Sequence, residues 1–181
     1  LALLFCVARS IPQASRTLSE GKWDRASFKG RELDGKLLGI VGLGNIGQIV
    51  AEKAVALGMR VAGYDPQHKQ LSDFPRLSKW AESISILENL DHVLEKADFL
   101  TLHVPKTKET THLMNSARIK TLKKGAYLIN CSRGGIVDES ALLAAVNEGH
   151  LAGAALDVFE KEPPEFPNPL FDHPKIVCAP H

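Results

Sequence analysis

The sequence predicts an α/β fold, a doubly wound parallel sheet, and three observations carry that expectation. From Leu37 onward, short apolar runs alternate with helical patterns at the spacing of strand, helix, strand units. The helical patterns end in glycine or begin at side chains suited to a cap. Three glycines, Gly42, Gly44 and Gly47, directly follow the first apolar run.

Taken in order, Leu1 to about Ser19 reads as one helix, apolar mainly in its first two turns and ended by Gly21. A polar, irregular arm follows from Lys22 to Lys36. The strand and helix patterns are then LLGIV with NIGQIVAEKAVALG, RVAGYD with a loop, SISI with LDHVLEKA, DFLTLHV with NSARIKTL, AYLINC with DESALLAAVNEG, GAALDV with a proline-rich loop, and KIVCAP. Gly58, Gly125 and Gly149 read as helix ends, the second after two lysines that suit the negative pole of a helix. Asp138, Glu139 and Ser140 crowd the start of the last helix, as an N-terminus favours. EKEPPEFPNPLFDHP holds five prolines and reads as an extended surface connection.

Composition sets outer limits. The 181 residues carry 22 basic and 21 acidic side chains, a formal charge of +1, so no chain-wide field gathers nucleic acid or anionic lipid. Neither partner is expected. Cys6, Cys131 and Cys178 are odd in number and scattered, which indicates neither a disulfide framework nor a metal site and suits a reducing, cytoplasmic setting. LALLFCVA stops at Arg9, well short of the ~20 residues a spanning helix needs. Because the chain opens on Leu1 and closes on His181 straight after an apolar run, it reads as a fragment of a longer polypeptide.

Glycines at these positions answer a specific need. A parallel strand ending at Val41, a GxGxxG turn and a helix from near Asn45 converge backbone N–H groups and the positive helix end on one point, which attracts a diphosphate. Gly42 permits the tight turn, Gly44 clears the approach to the backbone, and Gly47 lets helix and strand pack closely. Asp65 follows Gly47 by eighteen residues at the end of the next strand pattern. A carboxylate there accepts from both ribose hydroxyls and repels a 2′-phosphate, favouring NAD over NADP. The plainer alternative for Asp65, which precedes Pro66, is a turn residue.

Ligands of such a sheet meet the carboxyl ends of its strands. The residues there are Val104 and Pro105, Cys131 to Gly135, Asp157, and Pro180 with His181. Hydride transfer to a carbonyl also needs a proton donor near neutral pKa and a cation for the substrate. His181 suits the first role and the Arg133 guanidinium the second, while Glu162 can pair with the imidazole and keep it protonated. Duller readings stay open: a capping histidine, an arginine on a helix end, a solvated glutamate. His68, His92, His112, His150 and His173 read as surface residues and His103 as a core or cleft-edge histidine. Cys131 lines the cleft without a base to make it a nucleophile.

With these residues the sequence becomes familiar. GKLLGIVGLGNIGQIVAEKAVALGMRVAGYDP, LTLHVPKTKETTHLMN, KKGAYLINCSRGGIVDESALL, LAGAALDVFEKEPP and the closing CAPH resemble the cofactor domain of the NAD-dependent D-2-hydroxyacid dehydrogenases, over nearly the whole chain and in the family's order. The resemblance implies a Rossmann-type sheet, with the separate substrate domain largely missing from this fragment. It implies residues 1–36 as an interdomain and dimerisation helix and arm, 37–181 as the NAD-binding domain, and a homodimer.

For the site it implies Arg133 on the substrate carboxylate and carbonyl, Glu162 beside the imidazole, and His181 as acid and base, with no metal. NAD contacts would come from Gly42, Gly44, Asn45, Ile46, Gly47, Asp65, Val104 and Pro105, from Cys131, Ser132 and Arg133, from Asp157 on the carboxamide side, and from His181. WDRASFKGRELDGK and NCSRGGIVDE are most similar to members that oxidise 3-phosphoglycerate. Glyoxylate, hydroxypyruvate and D-lactate reductases share the trio, as do non-catalytic NAD-sensing corepressors, so the small 2-hydroxy or 2-keto acid stays open. Glu162 argues against the formate-oxidising branch, which has glutamine there.

Overall fold

The computed structural model describes residues 1–180. Seven strands form one sheet in the order β3-β2-β1-β4-β5-β6-β7, every neighbouring pair parallel. They are β1 (Leu37–Val41), β2 (Arg60–Tyr64), β3 (Ile84–Ile86), β4 (Phe99–Leu102), β5 (Tyr127–Asn130), β6 (Gly153–Leu156) and β7 (Ile176–Cys178). All seven strand patterns of the sequence are realised.

Alternate residues of each strand feed two separate cores, because successive side chains of a strand point to opposite faces. Leu38, Ile40, Phe99 and Ile129 pack with α1 (Ala2–Arg9) and α3 (Asn45–Ala56) through Leu4, Val7, Ala51 and Ala54. Val41, Leu100, Leu102 and Leu128 pack with α4 (Leu90–Lys96), α5 (Ser116–Thr121) and α6 (Glu139–Asn147) through Leu94, Ile119 and Leu142. The sheet is therefore doubly wound. Among the described residues, no helix is long and apolar enough to cross a membrane.

Four local expectations are corrected. The first helix is two, α1 and α2 (Ile11–Ser19), broken at Ser10 with a left-handed backbone of φ 50°. Pro12 explains the break: it has no N–H to give the Ala8 carbonyl, which instead accepts from the Arg31 N–H at 2.8 Å. Gly125 does not end a helix, since α5 stops at Thr121 and Gly125, at φ 83°, donates to the His150 carbonyl in the turn into β5. The proline-rich segment is not simply an extended surface connection, because Leu170 is buried in the core and Phe171 packs against it. Nor are all five outlying histidines plain surface residues. His150 and His173 are half-buried, and His150 bonds the Ile119 carbonyl at 3.1 Å.

α1 uses one face internally. Leu4, Val7 and Ala8 lie against β5, β6 and β7, and burying Leu4 and Val7 is worth about 1.5–3 kcal/mol each. Ile11, Leu18 and Trp23 remain exposed.

Candidate active site

The strand order reverses direction between β1 and β4, and the crevice above that switch point is where an open parallel sheet receives ligands. Local chemistry distinguishes the helix that starts there. α4, α5 and α6 are each closed by a side chain: Asn89, Asn115 and Asp138 accept from the N–H groups of Asp91, Arg118 and Ala141. α3 has no such cap, because Gly44 stands in the capping position. Among the described residues, the N–H groups of Asn45 and Ile46 find no acceptor. An uncapped helix N-terminus at a switch point presents free donors and a partial positive charge to an anion.

The three glycines divide the work as the sequence suggests. Gly42 has φ 92°, and a Cβ there would sit 2.5 Å from the His103 carbonyl oxygen, so both conformation and space demand glycine. A Cβ on Gly47 would collide with the Gly42 carbonyl oxygen, so the first turn of α3 rests directly on the strand exit. A Cβ on Gly44 would meet nothing within 4 Å. The space before Gly44 is open, and that is where a diphosphate would approach.

Asp65 closes this half of the site and does more than expected. Its Oδ2 accepts from the Leu43 N–H at 2.9 Å, tying the glycine turn to the end of β2. Its Oδ1 accepts from the Gln67 N–H at 2.9 Å and faces the His68 ring at 3.4 Å. The plainer turn reading is therefore part of its role, but a carboxylate oxygen offers about two acceptor sites, and Oδ2, with one partner among the described residues, keeps one for a ligand. Across the crevice stand Val104, buried, and Pro105, exposed, at the β4 exit. His103 bonds the Thr101 hydroxyl at 3.1 Å, and burial pushes its imidazole down to about 4. It is neutral near pH 7 and supplies no acid there.

The second half lies at the exits of β5, β6 and β7. Arg133 is exposed on the turn from Cys131 to Gly135, its Nη1 resting on the Ser132 carbonyl at 2.6 Å. Among the described residues, no helix end holds it. Burial, and next the Asp157 carboxylate, raise the Cys131 thiol above its ordinary range, which removes it as a nucleophile at neutral pH. Asp157 itself is half-buried and directly follows β6. Glu162 is exposed, and its Oε1 accepts from the Phe159 N–H at 2.9 Å. Glu162 and Pro180 line one cavity of about 620 Å³, shared with Arg16 of α2, Asp172 and His173. His181 lies outside the described residues; Pro180, its neighbour in sequence, borders the same cavity as Glu162.

Of two further residues in this half, Asn130 was not singled out by the sequence and Gly134 was named only within the stretch from Cys131 to Gly135. Asn130, 1% exposed at the end of β5, accepts from the N–H and hydroxyl of Ser132 at 3.1 and 2.8 Å and donates to the Arg133 carbonyl at 3.1 Å. Gly134 lies against the backbone of Phe159. An amide closing a strand of apolar residues was the available signal for Asn130; for Gly134 the sequence offered its place in the Cys131 to Gly135 exit and not its partner.

The profile of the family described as D-isomer specific 2-hydroxyacid dehydrogenase, NAD binding domain, matches residues 1–181. The chain is 44% identical over 181 residues to the D-3-phosphoglycerate dehydrogenase of Methanocaldococcus jannaschii and 47% identical over 181 residues to that of Bacillus subtilis, with 100% and 99% of the chain aligned. It spans 33% of each, about a third of the length of the curated relatives it matches. Among solved structures it is similar to the TT0316 protein of Thermus thermophilus, with TM-score 0.88 and 39% identity, covering 99% of this chain and 55% of that one. It is also similar to an NAD-dependent formate dehydrogenase of Staphylococcus aureus in complex with NAD, with TM-score 0.87 and 30% identity, covering 98% of this chain and 52% of that one.

Proposed function

The chain belongs to the D-isomer specific 2-hydroxyacid dehydrogenase family, by way of that family's NAD binding domain, and from this premise we propose that the full-length protein is an NAD-dependent oxidoreductase acting on the CH–OH group of a D-2-hydroxy acid. The substrate we propose is 3-phosphoglycerate, oxidised to 3-phosphohydroxypyruvate on the route to serine. The names of the relatives support that choice. One observation carries the cofactor role: the open, uncapped start of α3 at Gly44, on the same carboxyl edge of the sheet as the strand exits that bear Arg133 and Asp157.

The residues present fit NAD. Gly44, Asn45 and Ile46 would receive the diphosphate on free backbone donors, and Asp65 the adenosine ribose. Val104, Pro105, Cys131 and Ser132 would line the ring and ribose portions, with Asp157 toward the carboxamide. When bound, NAD supplies the hydride acceptor for oxidation and the donor for reduction.

The chain's own side chains supply the rest. The Arg133 fork grips the substrate carboxylate and polarises the adjacent carbonyl oxygen, favouring the charge that develops there. His181 takes the hydroxyl proton during oxidation and returns it to the keto oxygen during reduction. Glu162 pairs with the imidazole and favours its charged form. We extend the proposal to the domain plan, with 1–36 as interdomain arm and 37–181 as cofactor domain, and to a homodimer whose contact includes Ile11, Leu18 and Trp23, all exposed here.

Steady-state NADH oxidation by the full-length protein with a panel of 2-keto acids tests the proposal. Phosphohydroxypyruvate should give the highest kcat/KM. A different preferred keto acid would reassign the substrate, and bound NADH with no turnover on any of them would overturn the catalytic reading.

A further inference from the structure

Arg133 and Glu162 sit on separate connections, nearly thirty residues apart, and nothing in either loop alone fixes one relative to the other. A single buried residue, Phe159, meets the Arg133 turn at Gly134 and Glu162 directly. The N–H of Phe159 donates to Glu162 Oε1 at 2.9 Å, and the carbonyl of the same Phe159 lies so close to Gly134 that any Cβ on Gly134 would overlap its oxygen and approach its carbon at 2.5 Å. The contact is backbone against backbone, so no side-chain rotation relieves it. Phe159 is itself anchored: the residue is 8% exposed and its ring meets the Phe171 ring edge-on at 5.2 Å. On the far side of the arginine turn, buried Asn130 holds Ser132 and Arg133 by three hydrogen bonds and receives the Asp157 N–H on its own carbonyl.

We propose that Gly134 and Phe159 form the joint that sets the substrate-gripping Arg133 relative to Glu162, with Asn130 as the inner brace, so that Gly134 and Asn130 are positioning residues for the reaction. The inference rests on the reading of Arg133 and Glu162 given above. Its logic is steric. The absent Cβ of Gly134 admits the Phe159 carbonyl, and the N–H of the same residue, on the other side of its Cα, donates to the glutamate. Displacing the Phe159 backbone away from the turn carries the Glu162 anchor with it. A misplacement of about 1 Å in a catalytic arrangement costs on the order of 10²-fold in rate.

The consequences separate by residue. Gly134 acts on Glu162, and Glu162 acts on the protonation of the imidazole. The other titratable groups facing Glu162 are Lys161 beside it in sequence, and Arg16, Asp172 and His173 around the shared cavity; none of them changes in the variant. Asn130 acts on Arg133, hence on the grip of the substrate carboxylate.

The test is kinetic, in the full-length enzyme, with phosphohydroxypyruvate and NADH. Gly134→Ala should lower kcat by about 10²-fold, lower the pKa on the basic limb of the reduction profile as Glu162→Gln does, and leave NADH affinity unchanged. A wild-type kcat and profile in Gly134→Ala overturns the joint. So does lost activity with an unmoved pKa and equally weakened NADH, which marks general loosening. Asn130→Asp adds no bulk to the buried turn and replaces the donor to the Arg133 carbonyl, so it keeps the question open to test should Gly134→Ala fail to fold. It should raise KM for the keto acid with the pKa in place, and an unchanged KM contradicts the brace. Failure of the wild-type enzyme to turn over would instead count against the functional reading on which the joint rests.

Discussion

The turn after β1 and the turn after β5 are both glycine-rich, both lie at the carboxyl edge of the same sheet, and use their glycines in opposite ways. At Gly44 the missing Cβ leaves open space facing outward, bordered by free backbone donors. At Gly134 the missing Cβ is replaced by the protein's own Phe159 carbonyl. The first turn makes room for a ligand, and the second makes room for a neighbouring loop. A glycine therefore says that something comes close, and only the fold says what. The same contrast divides the proposed site into a cofactor half built from main chain and a chemical half built from side chains on connections distant in sequence.

If the halves are separable, each can be broken alone. The largest effect is expected from His181→Ala, which should cost about 10²–10⁴-fold in kcat, the usual contribution of a general acid, while NADH titration gives the wild-type affinity. A parallel loss of NADH binding would show that the halves are not separate.

Next in size is a pH effect at His103, whose carbonyl supports Gly42. Its folded pKa of about 4 lies below the unfolded value of 6.5. The unfolded chain thus takes up the proton first, and stability is fully present above pH 6.5 and lost as the pH falls toward 4. The loss should approach about 3 kcal/mol. Chemical denaturation across that range measures it, and His103→Gln should flatten the slope.

Two substitutions within the glycine turn sharpen the contrast between room for ligand and room for protein. Gly47→Ala meets the Gly42 carbonyl and should destabilise the fold by about 1–3 kcal/mol. Gly44→Ala meets nothing, so its thermal midpoint should stay near wild type while NADH binding weakens by roughly tenfold, about 1.4 kcal/mol. The smallest effect is expected from Asp65→Asn. One amide oxygen can still accept from the Leu43 N–H, so the turn survives, and the change should appear as a narrower preference for NADH over NADPH, read by comparing the two dissociation constants.

The cofactor half was legible because its logic is local. Gly42, Gly44, Gly47 and Asp65 stand at fixed offsets within one strand–helix–strand unit, and the physics that selects them acts over those offsets. The seven strands were legible for the same reason, each an apolar run bounded by polar or glycine-bearing turns. Pro12 carried the signal for the break at Ser10, since a residue without an N–H strands a carbonyl four places earlier, but the apolar pattern of LALLFCVA masked it. Asn130 offered half a signal, an amide at the end of a strand; its partners Ser132 and Arg133 only become its partners once the turn closes. The pairing of Gly134 with Phe159 had no sequence signature, because two strand exits must first be brought side by side. Glu162 could be named as a candidate, but its anchor on the Phe159 N–H depends on how the proline-rich segment folds back over Leu170.

The most direct measurement is calorimetric titration of the full-length protein and its Gly44→Ala variant with NADH. Saturable heat for the wild type and distinctly weaker binding for an equally stable Gly44→Ala are the predicted result. No heat with the wild type, or equal affinity in the two proteins, would contradict the assignment of the open start of α3 as the dinucleotide site.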